Sequence, residues 1–419
     1  MHRFGTKWLA PLLGMCVLAW SAASYAQAAA LSKPSLVGQD TINSADTAWM
    51  MTSTALVLLM TLPGIALFYG GMVRKKSVIN TMASVVAITA MVSLLWFAVG
   101  YSLAFTPGSS WLGSTDRLWF SGLNYLKEAG QVAVSHVAPN VPESVYAMFQ
   151  LTFAIITAAL IVGAFVERMR FSAMLWFIGM WSIVVYAPIA HWVWEPGGWL
   201  AQMGVLDFAG GSVVHINAGI SGLVCAYMLG ARKGYGKEPF EPFNLGLTMA
   251  GAGLLWVGWF GFNAGSAVAS DGRAGLAMAV THIAASAGAI SWMFGEWIMR
   301  GRPSLLGLCS GLVAGLVAIT PAAGFVTPRD AVLFGLLLGS HRAQAHAQCR
   351  RLAGCVWRAR HWWHRGFADD GLLCQQDDFR RDRQRGYAGG GRAGGAAVQR
   401  RDELGAAVGD QSNCGPAGG

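Results

Sequence analysis

The chain is 419 residues long, with 54% hydrophobic and only 12% charged side chains, about half the charged share of a soluble protein. That excludes a soluble domain, and the 54 glycines, which follow no Gly-X-Y period, exclude collagen and suit helices packed closely in lipid. The formal charge of +9 is split unevenly: residues 341–419 hold 13 Arg, no Lys and 8 acids, a net +5, and the 7 cysteines fall at neither metal-ligand nor disulfide-framework spacing.

In chain order, His2, Arg3 and Lys7 precede an apolar stretch from Trp8 to Trp20, and Ala26-Gln27-Ala28 is a small-x-small cleavage site. Residues 1–28 therefore read as a signal peptide, too short in its apolar part for an anchor of about 20 residues. Apolar runs able to span a bilayer follow at 48–69, 79–105, 145–166, 171–194, 207–230, 246–269, 274–299 and 304–326, and a ninth starts at Ala331. Arg74-Lys75-Lys76, Arg168 and Arg170, Arg232 with Lys233 and Lys237, and Arg300 with Arg302 follow the first, third, fifth and seventh runs. Basic loops stay in the cytoplasm, so the mature N-terminus is expected outside a bacterial cytoplasmic (inner) membrane. The fold class is an all-α polytopic membrane protein. Gly307, Gly311 and Gly315, and Gly261 with Gly265, recur every fourth residue and predict faces that meet other helices.

An ionisable group inside a span costs about 2.5 to 3.5 kcal/mol on insertion scales, so each needs a reason. Asp207 opens the fifth run, where it is either an ion ligand or, the favoured alternative, a helix N-cap. His215, eight residues on and flanked by Val213, Val214 and Ile216, is expected to be neutral, lining a cavity or pairing with another buried group. Glu167 and Glu296 sit at cytoplasmic span ends beside Arg168 and Arg300, where solvated interfacial pairs account for both. The alternating topology brings Phe149, Trp194, Asp207, Phe262 and Ser266 to the outer face. Aromatic rings can hold a cation there and Ser266 can accept a hydrogen bond, although an aromatic interface belt explains any one ring equally well.

Four strings carry a more specific message. They are Pro63-Gly64-Ile65-Ala66-Leu67-Phe68-Tyr69-Gly70-Gly71, Asp207-Phe208-Ala209-Gly210-Gly211-Ser212-Val213-Val214-His215-Ile216-Asn217, Trp259-Phe260-Gly261-Phe262-Asn263-Ala264-Gly265-Ser266 and Pro303-Ser304-Leu305-Leu306-Gly307. In this order, over about 46–338, they resemble signatures of the ammonium transporter (Amt, Mep and Rh) family. The resemblance implies a homotrimer of eleven-helix protomers, each with a pore between two inverted five-helix repeats, of which about nine helices are encoded here. It implies ammonium recruitment by Trp194 and Ser266 with Phe149 nearby, a gate of Phe149 stacked on Phe262, Asp207 as a structural and electrostatic support, and His215 as the first of two pore histidines. Ammonium would lose its proton near the gate and ammonia would cross, with no cofactor and no metal. A PII-class nitrogen regulator docks on the family's cytoplasmic tail, a segment this chain lacks.

After Gly339 the resemblance stops and an Arg, Ala and Gly-rich segment begins. Its composition is that of GC-rich DNA read out of frame; the alternative is an Arg-rich tail binding nucleic acid or lipid. Residues 354–365, back-translated and read one base later, can encode Asp-Val-Phe-Gly-Val-His-Gly-Ile-Gly-Gly-Ile-Val, which resembles the family's tenth-span signature with its second histidine. A frame break near Ser340 is therefore expected, residues 46–339 forming an incomplete membrane domain and 340–419 an aberrant tail, with no nucleic-acid partner. Two alternatives stay open: an ammonium sensor of the same family, and a membrane hydrolase using Ser212, His215 and Asp207, for which no nucleophile-elbow motif exists.

Overall fold

The computed structural model describes residues 33–232, 234–235 and 240–337. The signal peptide expected over 1–28 and the tail over 340–419, with its frame break near Ser340, lie outside these residues. Within them the apolar runs become helices α1 (Ser44–Met72), α2 (Lys75–Phe105), α3 (Glu143–Phe165), α4 (Phe171–Gln202), α5 (Gly211–Leu229), α6 (Leu245–Ala264) and α7 (Gly272–Arg300), all long and apolar enough to cross a membrane. The eighth run, expected to span over 304–326, is helical only over α8 (Leu305–Ile319) and then turns; α9 is described over 328–337. The starts obey local chemistry: the side chains of Asn43, Asn244, Asp271 and Ser304 cap α1, α6, α7 and α8 by accepting backbone N–H groups that have no partner inside the helix.

Helix α3 is the central element, buried along nearly its whole length against α1, α2 and α5. Helices α1 and α6 pack antiparallel, and glycine is what lets their backbones approach. A Cβ on Gly258 or Gly261 would press on the Leu56 or Ser53 carbonyl at 2.8 Å, and one on Gly265 would meet the Ser53 side chain at 2.6 Å. The Gly307–Gly311–Gly315 face likewise meets α7, where added carbons would collide with Glu296, the Gly288 carbonyl and the Ala284 carbonyl. Both glycine faces thus meet other helices, as their spacing predicts. Gly311→Val should therefore separate α7 from α8, and the expected result is a loss of monodisperse folded protein after detergent extraction, while Gly275→Ala, with open space around it, leaves the yield unchanged.

The sequence did not announce a sheet. Four short strands, β1 (Ser35–Gly38), β2 (Tyr125–Leu126), β3 (Gln131–Ser135) and β4 (Ala138–Pro142), form one antiparallel sheet in which β3 pairs with each of the others. It lies over the end of the bundle where α1 and α3 begin, because β4 runs directly into α3 and the Asn43 N–H donates to the Asn140 carbonyl at 2.9 Å. One acid is buried beside it: Arg117 donates to both oxygens of Glu143 at 2.9 and 3.0 Å, and Tyr101 donates to the first of them at 3.0 Å.

At the opposite, basic end the two glutamates are not the solvated pairs expected. Glu167 binds Arg74 at 3.0 Å and Arg232 at 3.2 Å rather than its neighbour Arg168, with its side chain 1% exposed. Both guanidinium groups also lie over the Phe240 ring, 4.7 and 4.6 Å from its centroid. Glu296 does pair with Arg300, at 3.1 Å, but it is buried and accepts from the Ser304 N–H and hydroxyl, which ties α7 to the start of α8. Sequence proximity misled because the loops fold back over the helix ends.

Burial pushes the Glu167 carboxyl up, but hydrogen bonds from Arg74 and Ser77 and the charges of Arg232 and Arg74 outweigh it, holding the group below its usual 4.5. A lowered folded pKa means that this stabilisation is complete above the ordinary carboxylate range and is lost as pH falls through the lowered value. The detergent-solubilised protein should therefore lose thermal stability below about pH 4, and Glu167→Gln should be less stable at pH 7 and show a smaller change with acidification. Equal acid sensitivity of the two proteins would count against this role of Glu167.

Candidate functional site

A column of rings runs inward from the sheet end. Trp194, at the end of the α4 segment Ala187–Trp194, presents its edge to Phe153 of α3 at 5.7 Å between centroids and 83°. Phe153 stacks on Phe262 of α6 at 4.2 Å and 17°, Phe262 faces His215 of α5 at 5.9 Å and 25°, and His215 stacks on Trp259 at 5.4 Å and 28°. Four helices thus contribute to one stack. Phe262 and His215 sit in π-helical turns, Phe260–Ala264 and Gly211–Ile216, and such turns, common at functional sites, displace side chains from the regular helical register.

The stacked pair corrects the gate expected from sequence. Phe149 does not stack on Phe262; its ring lies 4.9 Å from Phe153 at 58°, one turn nearer the sheet, and Phe153 occupies the position between. The physical reason is helical geometry: residues four apart share one face of α3, so sequence cannot say which ring reaches α6. No motif marked Phe153, although its i+4 spacing from Phe149 could have placed it in the set. Ser266 lies one turn from Phe262 and donates its hydroxyl to the Phe262 carbonyl at 2.8 Å, leaving its oxygen able to accept.

Asp207 is the cap rather than the ion ligand. Helix α5 begins at Gly211, not at 207, and the Asp207 carboxylate in the preceding loop accepts four backbone N–H groups, from Gly210 (2.8 Å) and Gly211 (2.6 Å) on one oxygen and Ser212 (2.7 Å) and Val213 (3.1 Å) on the other. Those bonds use about all the lone-pair positions a carboxylate has. Burial pushes the carboxyl above its usual range against the pull of the four donors. The loop can curl this tightly because Gly210 takes a left-handed φ of 101°, where a Cβ would also press on Val214 at 2.6 Å. Its backbone then reaches the aromatic column, since Trp194 donates its indole N–H to the Asp207 carbonyl at 2.9 Å.

At the inner end of the column Thr320 organises two rings. Its hydroxyl donates to the Leu316 carbonyl at 2.8 Å and accepts from the Trp259 indole at 2.9 Å, with His215 Nε2 at 3.4 Å. With its one proton committed, Thr320 can meet His215 only as an acceptor, which favours a proton on Nε2. Ser212, His215 and Asp207 do not form a hydrolytic set: the carboxylate takes the Ser212 backbone N–H, and the imidazole is turned to Thr320. Among the described residues no cluster of three or more His, Cys, Asp or Glu could hold a metal.

The chain is similar to known proteins of one family. The family model described as Ammonium Transporter Family matches residues 48–354. An ammonium transporter of Bacillus subtilis is 48% identical over 295 residues, covering 70% of each chain. The crystal structure of Saccharomyces cerevisiae Mep2 superposes with a TM-score of 0.67 at 35% identity, covering 81% of this chain and 73% of that one. A solved Sensor Amt Protein gives a TM-score of 0.67 at 26% identity, with 80% and 79% covered.

Proposed function

The chain belongs to the ammonium transporter family, whose members are multi-pass membrane transporters and not enzymes, and from that premise we propose that the aromatic column is an ammonium pathway entered from the sheet end. Trp194, Phe149 and Ser266 recruit the ion by ring-face attraction and a hydrogen bond. The Phe153–Phe262 stack bars it, because a charged ammonium pays heavily to enter an apolar lumen while ammonia does not. Deprotonation at the stack is the selective step: the N–H bond breaks, solvent water at the outer mouth takes the proton, ammonia passes along His215 and Trp259, and the proton is carried across separately, so net transport carries charge. Potassium has no proton to give up. The unbroken ring column from Trp194 to Trp259 carries this reading.

The sheet end then faces outward across a bacterial inner membrane, which the clustering of Arg74, Arg168, Arg232 and Arg300 after alternate helices supports. The protein works as a homotrimer. The likeness to a sensor of the same fold makes signalling the second reading; ammonium-dependent signalling without ammonium flux would favour it. The break near Ser340 draws support from the Bacillus relative, which is matched over 70% of its own length, while the family match itself runs to residue 354. Two steps test the proposal. Resequencing source DNA across the codons for residues 331–366 should reveal a missing or extra base. The frame-restored chain should then support growth of cells lacking their own ammonium transporters at low ammonium and acidic pH. Growth no better than the empty vector, with the protein present in the membrane, would refute transport.

A further inference from the structure

The end of α4 carries a buried carboxylate–imidazole pair that the transport pathway does not use. Glu195, the residue after Trp194, sets its carboxylate Oε1 2.8 Å from His136 Nε2, and the two side chains are 3% and 4% exposed. Its second oxygen accepts the Gly197 N–H. His136 stands in the turn between β3 and β4, and its Nδ1 is buried without a hydrogen-bond partner. The pair therefore joins the sheet to the helix end that bears the recruiting indole.

Other charged and titratable groups surround the pair without replacing it. His191, one turn back on α4, is fully buried with both ring nitrogens facing carbonyl oxygens, Ala104 at 3.1 Å and Ser109 at 2.9 Å. Tyr146 of α3 faces Glu195 electrostatically but takes its hydrogen bond from Gln150 at 3.2 Å. Glu143, beside the sheet, spends both oxygens on Arg117. His136 is thus the side chain that donates to Glu195. The indole of Trp194 is fixed at its nitrogen by Asp207 and lies parallel to Phe105 at 6.4 Å, while its backbone is fixed by the neighbouring pair.

We propose that Glu195, clamped by His136, is a positioning residue for ammonium recruitment: it holds Trp194 over Phe153 and keeps negative charge beside the mouth of the column. The inference rests on the assignment of Trp194 to the recruiting surface. A carboxylate removed from water needs its partner, because stripping one member of a buried pair strands the other. An imidazole that donates through Nε2, with no acceptor facing its buried Nδ1, satisfies the carboxylate and leaves on Glu195 a negative charge that favours a cation.

Ammonium-evoked currents in proteoliposomes holding the full-length frame-restored chain separate the outcomes. Glu195→Gln keeps the shape and the Gly197 bond but removes the charge, and should raise the half-saturation concentration at least fivefold with the maximal current within twofold of the parent. A merely structural role would lower the amount of protein and the maximal current and leave half-saturation unmoved; that result overturns the proposal. Trp194→Leu is measured alongside: if it does not alter half-saturation the recruiting assignment itself fails, whereas a shift in Trp194→Leu with none in Glu195→Gln defeats the positioning role alone. If Glu195→Gln does not fold, His136 decides. His136→Ala should raise half-saturation and His136→Gln, whose amide can still donate, should restore it; equal values in the two variants would contradict the clamp.

Discussion

Asp207→Ala is expected to abolish transport and to leave little folded protein in the membrane. Three buried N–H groups and one part-buried would lose their acceptor together, and at about 1 to 3 kcal/mol for each buried stranded donor the cost is at least about 3 kcal/mol. The damage would spread beyond the cap. The same loop offers the Asp207 carbonyl to the Trp194 indole and begins the π turn that carries His215. Asn is ordinarily as good an N-cap as Asp, but here both oxygens accept two bonds each, and the amide of Asp207→Asn would point its own N–H groups at two donors. Asp207→Asn should therefore fail as well, with less than a tenth of the parental ammonium current per folded molecule. A fully active Asn variant would mean that one oxygen suffices and that the second pair of bonds is incidental.

Phe153→Ala should cost discrimination more than any other single ring change in α3. Phe153 fills the space between the Trp194 edge and the face of Phe262, so its loss opens an aqueous gap above Phe262 and leaves a single ring over His215, and an ion can then arrive with its water. The expected result is at least a tenfold fall in the ratio of ammonium to potassium flux. Phe149→Ala should instead raise the half-saturation concentration and leave that ratio within twofold, because its ring lies beside Phe153 and outside the stack. If the two variants exchanged these phenotypes, the gate would be Phe149 on Phe262 after all.

The contrast between these two phenylalanines shows where sequence stops being informative. Long apolar runs with basic clusters after alternate spans located the helices because lipid tolerates little else. The glycine spacings located close contacts because only a missing Cβ lets backbones meet. Asp207 was legible as a cap because it precedes a helix start. Phe153 was not, since two rings one turn apart present the same pattern until a partner helix chooses between them. The sheet escaped because its strands are two to five residues long and one ends in Pro142, too little for a period of two to register. Glu167 and Glu296 were placed beside the wrong solvent: tertiary folding of the basic loops buries carboxylates that local sequence leaves in water. The π turns that aim Phe262 and His215 carry no sequence signature.

The most direct test of the account is a paired substrate jump on one preparation of proteoliposomes holding the frame-restored chain, first to ammonium and then to potassium at equal concentration. An apolar ring column that passes only what can shed a proton predicts a transient current with ammonium and none above protein-free liposomes with potassium. Equal currents for the two ions would contradict it, because they would mean that the column conducts intact cations and that deprotonation at the Phe153–Phe262 stack plays no part.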